Sequence, residues 1–353
     1  MAFDLTTPEG TIAYLESTPF AATSAKTVSG GSSGHIYRVQ LKTPTSDGAT
    51  SAIIKHVKDL AWENYSLSAD RIGFEAEALE ILAQSPFIDA TTSTVLVPKV
   101  LHYDSKEHAL LIEDLGEIPT VKQYTSSTSD HAAEIGSALG TFLAKFHAWS
   151  QTQPQLIEKF HANSLGRSYS ADFYFGQLEK PGKHLAGLDN HLDRIRPIAL
   201  KHRQKVLEIN EVLTIGDFWT GNVLVKAPKN ENEKLRLYVI DLELIRPGPA
   251  YFDLGQFSGE LYSIARFKNK EGGLALLSSF LAAYHTERPG SVEAGDVAVR
   301  LGSHLITVTP FVKWSEDKEK ILRVATEGAE MIVRGGEQDK AWLQESVVRE
   351  LAI

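Results

Sequence analysis

Asp217 and Asn222 stand five residues apart in Ile215-Gly216-Asp217-Phe218-Trp219-Thr220-Gly221-Asn222, and Asp241 follows nineteen residues later in Asp241-Leu242-Glu243. A carboxylate on a loop, a neutral amide oxygen and a second carboxylate closing an apolar strand are the groups that place a hydroxyl and hold Mg2+ in phosphoryl transfer. Asn222-Val223-Leu224-Val225 reads as a strand, Lys226 to Lys234 as a polar turn, and Leu235 to Ile240 as the returning strand. In an antiparallel hairpin the start of one strand lies beside the end of the other. The expectation is therefore that Asn222 and Asp241 come together, with Asp217 on the loop before them. If strand geometry persists to Glu243, its carboxylate points to the same side as that of Asp241 and can ligate the same or a second ion. The alternative for Glu243 is a solvated acid or a partner for Arg246.

Two further segments can serve the same chemistry. In Ala52-Ile53-Ile54-Lys55-His56-Val57, alternation puts Lys55 on one face with Ile53 and Val57. A buried ammonium needs a partner. On the helix expected from Asp70 to Gln84, Ile72, Glu75, Leu79 and Leu82 form one stripe, so Glu75 is a carboxylate on an apolar face with the same need. A Lys55–Glu75 pair satisfies both and leaves Lys55 free to touch phosphates; Glu77 is the second choice. Ahead of that strand, Gly30-Gly31-Ser32-Ser33-Gly34 can fold over nucleotide phosphates, because glycine lets backbone N–H groups approach closely. No Gly-Lys-Ser/Thr follows, so this is not a P-loop.

The remaining polar residues read as structural. Asp253 is expected to cap the helix after Tyr251-Phe252, and His147, at the end of a helix carrying Phe142 and Phe146, to pack in the core. There is no cysteine, which excludes disulfides, thiolate catalysis and cysteine-ligated metals. No His-Glu-x-x-His or Gly-x-Ser-x-Gly motif supports a zinc or serine hydrolase. A net charge of −9 argues against nucleic acid or an anionic membrane as the main partner. With no signal peptide in view and no apolar run long enough to span a bilayer, a cytoplasmic protein is expected.

The chain must place these groups with two kinds of texture. Thr7-Pro8-Glu9 starts a short helix, with Thr7 as the cap. Strands are expected at 36–41, 51–57, 95–103 and 109–113, with Thr43 to Thr50 as a hairpin loop. These and the helix from Asp70 make a small α+β lobe over residues 1–113. From Asp114 to the C-terminus the chain is mostly helical, with a clear stripe at Ile135, Leu139, Phe142 and Phe146. The order of elements from 151 to 205 is left open.

As a set, these motifs resemble the aminoglycoside phosphotransferase and choline kinase superfamily. The matching pieces are Gly30 to Gly34 with Tyr37-Arg38-Val39, Lys55, Arg71 with Glu75, Val97-Pro98-Lys99-Val100, Ile112-Glu113-Asp114-Leu115, Leu143 to His147, Gly216-Asp217 to Asn222, and Asp241. Asp70-Arg71 before Glu75, the Glu113-Asp114-Leu115 hinge and the acid-x-Glu form of Asp241-Leu242-Glu243 are similar to methylthioribose kinases. The resemblance implies a bilobal protein-kinase-like fold, with a β-rich N-lobe over 1–113 and a larger helical C-lobe over 114–353. It implies ATP as donor, Mg2+ on Asn222, Asp241 and Glu243, Asp217 as the catalytic carboxylate, and Glu113 and Leu115 offering backbone groups to adenine. The acceptor it implies is a hydroxyl of a small molecule. Ile215 stands where the family usually has His, a residue that supports the catalytic loop. That departure keeps a nucleotide-binding pseudokinase as an alternative. A protein kinase is the weaker alternative, since neither Asp-Phe-Gly nor Ala-Pro-Glu is present.

Overall fold

The computed structural model describes residues 3–28, 34–62, 65–179 and 187–352, and the chain divides into two packed units. The first comprises Met1–Ala90, Leu96–Ile118 and Ile240–Glu243; the second comprises Thr91–Val95, Pro119–Val239 and Leu244–Ile353.

The first unit begins with helix α1 (Pro8–Leu15), whose Thr7 side chain accepts from the Gly10 N–H. Strands β1 (Ala22–Thr27), β2 (Gly34–Leu41) and β3 (Ser51–Val57) follow, then the short hairpin β4 (Leu60–Trp62) and β5 (Tyr65–Leu67) and helix α2 (Arg71–Ala83). The apolar run expected as one strand over 95–103 is divided into β6 (Val95–Leu96) and β7 (Val100–Asp104). Pro98 lies in the gap, where a residue without an N–H cannot donate to a ladder. Strand β8 (Ala109–Glu113) completes an antiparallel sheet of order β1-β2-β3-β8-β7. Its register sets Lys55 opposite Ile36 on one side and Leu110 on the other. Ala52 and Ile54 enter a core with Val39, Leu111, Tyr14 and Leu15. Alternation puts Lys55 on the opposite face, where α2 packs against β7 and β8.

The second unit is built from α3 (Val121–Ser127), α4 (Ala132–Gln151), α5 (Pro154–His161), α6 (Ser164–Ala171), a π-helical turn Asp172–Gly176, α7 (Gln177–Glu179) and α8 (Asp189–Glu208). Strands β9 (Val212–Thr214), β10 (Val223–Lys226), β11 (Arg236–Val239) and β12 (Arg246–Gly248) come next, followed by α9 (Tyr251–Phe267), α10 (Lys270–Glu287), α11 (Ala294–Thr307), α12 (Lys318–Gly336) and α13 (Lys340–Glu345). The segment whose order the sequence left open supplies Tyr174, Phe175, Ile195 and Ala199 to a core shared with Phe252, Val299 and Ile332. The hairpin pairs Val223 with Val239 and Lys226 with Arg236, and β9 pairs with β12. Helices α9 and α11 approach closely at Gly255 and Gly259, where a Cβ would lie 2.5 Å from Arg300 and 2.8 Å from His304 side-chain carbons. Among the described residues no helix is long and apolar enough to cross a membrane.

Candidate functional site

In the first unit, Lys55 Nζ donates to Glu75 Oε1 and Oε2 at 2.8 and 2.7 Å and to Asp241 Oδ1 at 2.8 Å. Glu75 is 1% exposed and Lys55 9%. Burial alone would lower the Lys55 ammonium, but the charges of Asp241 and Glu75 hold it above the ordinary lysine range. Glu75 moves upward, because burial outweighs the attraction of Lys55. Arg71, one turn ahead of Glu75 on α2, donates from Nε to Glu243 Oε2 at 3.0 Å. Its NH1 donates to the carbonyls of Lys58 and Ser68.

Strand geometry does not persist to Asp241 and Glu243. Strand β11 ends at Val239, and Asp241 adopts a left-handed φ of 63°. A non-glycine residue there costs roughly 1–3 kcal/mol and persists only where its surroundings fix it; the Lys55 contact is one such restraint. The carboxylates still converge: ligand oxygens of Glu75, Asp241 and Glu243 lie within 4.8 Å of one another. Burial and the Asp241 charge push Glu243 up to about 7. Three carboxylates beside two cations leave an excess of negative charge. An all-oxygen donor set of this kind fits a hard divalent ion such as Mg2+.

At the hinge expected around Glu113 to Gly116, the Asp114 carboxylate accepts from Arg38 and Ser51, both at 2.8 Å, and from the Gly116 N–H at 2.9 Å. Burial works to raise Asp114, yet these bonds hold it below the usual carboxylate range. The Glu113 N–H donates to the Lys99 carbonyl at 2.9 Å, so what Glu113 has to offer an adenine edge is its carbonyl. Gly30, Gly31, Ser32 and Ser33 lie outside the described residues; Gly34 opens β2.

In the second unit, both carboxylate oxygens of Asp217 are held by amides. Gln256 Nε2 donates to Oδ1 at 2.7 Å, and Asn222 Nδ2 lies 3.3 Å from Oδ2 and 3.1 Å from the Asp217 carbonyl. Turning its nitrogen to Asp217 leaves the Asn222 amide oxygen as an available metal ligand. The loop is shaped by Gly216, whose φ is 85° and whose added Cβ would lie 2.1 Å from the Leu244 carbonyl oxygen.

Asp253 does not cap α9. The residue at the cap is Ala250, with no side-chain bond. The fully buried Asp253 carboxylate instead accepts from the N–H groups of Ile215 at 2.8 Å and Gly216 at 3.0 Å. Its other neighbour is His147 Nε2 at 3.2 Å, while His147 Nδ1 lies 2.9 Å from the Tyr284 hydroxyl, which accepts from Arg288 at 2.8 Å. Burial keeps His147 below the ordinary imidazole range. The consistent set of donors is Arg288 to Tyr284, Tyr284 to His147, and His147 to Asp253. Support therefore reaches the loop through its backbone, and Ile215 contributes an N–H that any residue would supply. The residue that argued for a non-catalytic protein removes none of the support seen here.

Sequence reasoning missed the roles of Gln256 and Asp253. A signal existed: on a helix buried from Tyr251 to Leu261, Asp253, Gln256 and Glu260 recur at helical spacing. Buried polar groups at that spacing require partners.

A family model described as the phosphotransferase enzyme family matches residues 24–293. A 4-hydroxytryptamine kinase of Psilocybe cyanescens is 31% identical over 333 residues, covering 91% of each chain. A methylthioribose kinase of Exiguobacterium sibiricum is 25% identical over 262 residues, covering 69% of this chain and 61% of its own. Among solved structures, amicoumacin kinase in complex with AMP-PNP, Ca2+ and Ami matches with a TM-score of 0.50 at 13% identity, over 87% of each chain. Kinases of the protein-kinase-like fold are thus structural neighbours of this chain.

Proposed function

This chain belongs to the phosphotransferase enzyme family, and on that premise we propose that it transfers the γ-phosphoryl group of ATP to a hydroxyl of a small molecule. The observation that carries the reading is Asp217, a half-buried carboxylate fixed at both oxygens by Gln256 and Asn222 on a loop pinned through its backbone. Such a carboxylate can accept the proton of an attacking hydroxyl and hold it in line, and positioning is most of what phosphoryl transfer asks of a protein.

In this reading the first unit is the nucleotide lobe and the second the catalytic and acceptor lobe. Lys55, kept charged by its carboxylate neighbours, binds phosphate oxygens of the donor. Glu113 offers its carbonyl and Leu115 its N–H to adenine, and Gly30 to Gly34 would cover the phosphates. Asp241 and Glu243, with Asn222, are the residues that would hold Mg2+, which when bound neutralises charge on the transferring phosphate. Gln256, with Asn222, fixes the orientation of the Asp217 carboxylate toward the acceptor.

The test is ADP release from Mg-ATP across pools of hydroxytryptamines, methylthioribose, aminoglycosides and amino alcohols, beside Asp217→Asn. Release that needs one pool and falls by about 10²–10⁴-fold in the variant is expected, with folding unchanged by circular dichroism. Equal release from the variant would refute Asp217 as the catalytic carboxylate.

A further inference from the structure

Lys122 of α3 carries its ammonium 3.3 Å from Glu260 Oε2, 3.9 Å from the centre of the Trp314 ring and 5.1 Å from that of Trp219. Glu260 is nearly fully buried, and its Oε2 also accepts from the Thr220 hydroxyl at 3.0 Å. Its Oε1 faces His304 Nε2 at 3.1 Å. Burial would raise Glu260, but the His304 bond and the Lys122 charge hold it below the ordinary range. A carboxylate beside two indole rings is the chemistry that captures an ammonium. Here an ammonium of the chain itself is already in place.

The location ties this cluster to the acceptor. Trp219 and Thr220 follow Asp217 by two and three residues on the same loop. Glu260 lies one turn beyond Gln256 on α9, about 6 Å along the helix axis from the residue that holds Asp217. An acceptor with its hydroxyl on Asp217 thus presents its remote end to Lys122.

Resting on the reading above, we propose that Lys122 is a specificity-determining residue: its ammonium fills the position that a cationic acceptor would occupy, and the enzyme therefore selects acceptors uncharged at the end remote from the phosphorylated hydroxyl. A free amine must displace a competitor tethered to the same site, whose effective concentration is on the order of millimolar or above. Removing Lys122 leaves Glu260 buried with one cation fewer and turns the site toward cations.

The test uses binding, which requires no turnover. Calorimetric titrations compare tyramine, cationic at pH 7, with its neutral counterpart 4-ethylphenol on the wild-type protein, Lys122→Leu and Lys122→Met. The wild type is expected to bind 4-ethylphenol at least as tightly as tyramine. Both variants should bind tyramine about tenfold tighter than wild type, with 4-ethylphenol changed by less than about twofold. The gain should vanish when Glu260→Gln is added to Lys122→Leu. Preference of the wild type for tyramine, or no gain in either variant, overturns the proposal. Absence of ADP release with every acceptor pool would instead strike at the kinase reading, and the two failures are read separately.

Discussion

Asp217 depends on Gln256 more directly than on any neighbour in sequence. The 2.7 Å bond turns the Gln256 amide nitrogen to Asp217 from a buried position on α9, where it can orient that carboxylate. Gln256→Leu is expected to lower kcat by about 10²-fold, since misplacement of a reacting group by an ångström has effects of that size. The KM for ATP should stay near wild type. A variant that instead raised the KM for ATP and kept kcat would show that Gln256 supports nucleotide binding, not acceptor alignment. Arg71 makes the matching point in the first unit: a guanidinium at the start of α2 holds Glu243 and two carbonyls. Sequence reading had paired Glu243 with metal or with Arg246; the Arg246 guanidinium lies over the Phe252 ring, 4.7 Å from its centroid.

Elements explain how the catalytic loop is held with Ile215 at its start. Helix α9 brings Asp253 under the loop, α4 brings His147 under Asp253, and α10 supplies Tyr284, with Arg288 just past its end. The links from His147 to Asp253 and from Asp253 to the loop are hydrogen bonds between buried groups, so breaking one leaves a donor or acceptor without a partner. Asp253→Ala strips the partner from two buried N–H groups at once. Each such loss costs about 1–3 kcal/mol, so unfolding by urea should show a stability loss of roughly 2–6 kcal/mol. Ile215→Ala should lose the amount expected of a buried aliphatic truncation, about 2–5 kcal/mol, with no change in the pH dependence of turnover. If Asp253→Ala proved as stable as wild type, the backbone clamp would carry no weight in the fold.

At the scale of the whole molecule, imidazoles buried in the second unit contribute to acid stability. His202 of α8 has its Nδ1 3.1 Å from the Tyr251 hydroxyl and its Nε2 3.6 Å from Asp296, which Lys205 also holds. Burial lowers it from 6.5 to about 4, opposed by Asp296 and reinforced by Lys205 and Lys201. A depressed folded pKa means that the unfolded chain binds the proton first. The stability from keeping His202 neutral is therefore complete above about pH 6.5, falls as pH drops through the window to about 4, and changes no further below it. His147 and His304, both lowered by burial, act in the same direction. Urea midpoints between pH 7 and 4.5 should fall less steeply for His202→Gln than for wild type. Parallel slopes would mean that His202 does not report the acid transition.

The strands Ser51–Val57 and Ala109–Glu113, the Thr7 cap and the stripe on α4 were legible because alternation, capping and helical period are written within a few residues. The spacing of Asp217 and Asn222 was legible for the same reason: one loop places both. Position 98 divided a strand because proline removes a ladder donor, a local fact that a count of apolar residues overlooks. What the tertiary structure decided is the choice of partner over long separations. Lys55 meets Asp241 across 186 positions, Arg71 meets Glu243 across 172, and Asp253 turns from its own helix to a loop 37 and 38 positions back. A buried charge announces in sequence only that it needs an opposite group. Which group answers depends on the three-dimensional register of helices and strands, and no local pattern encodes that register.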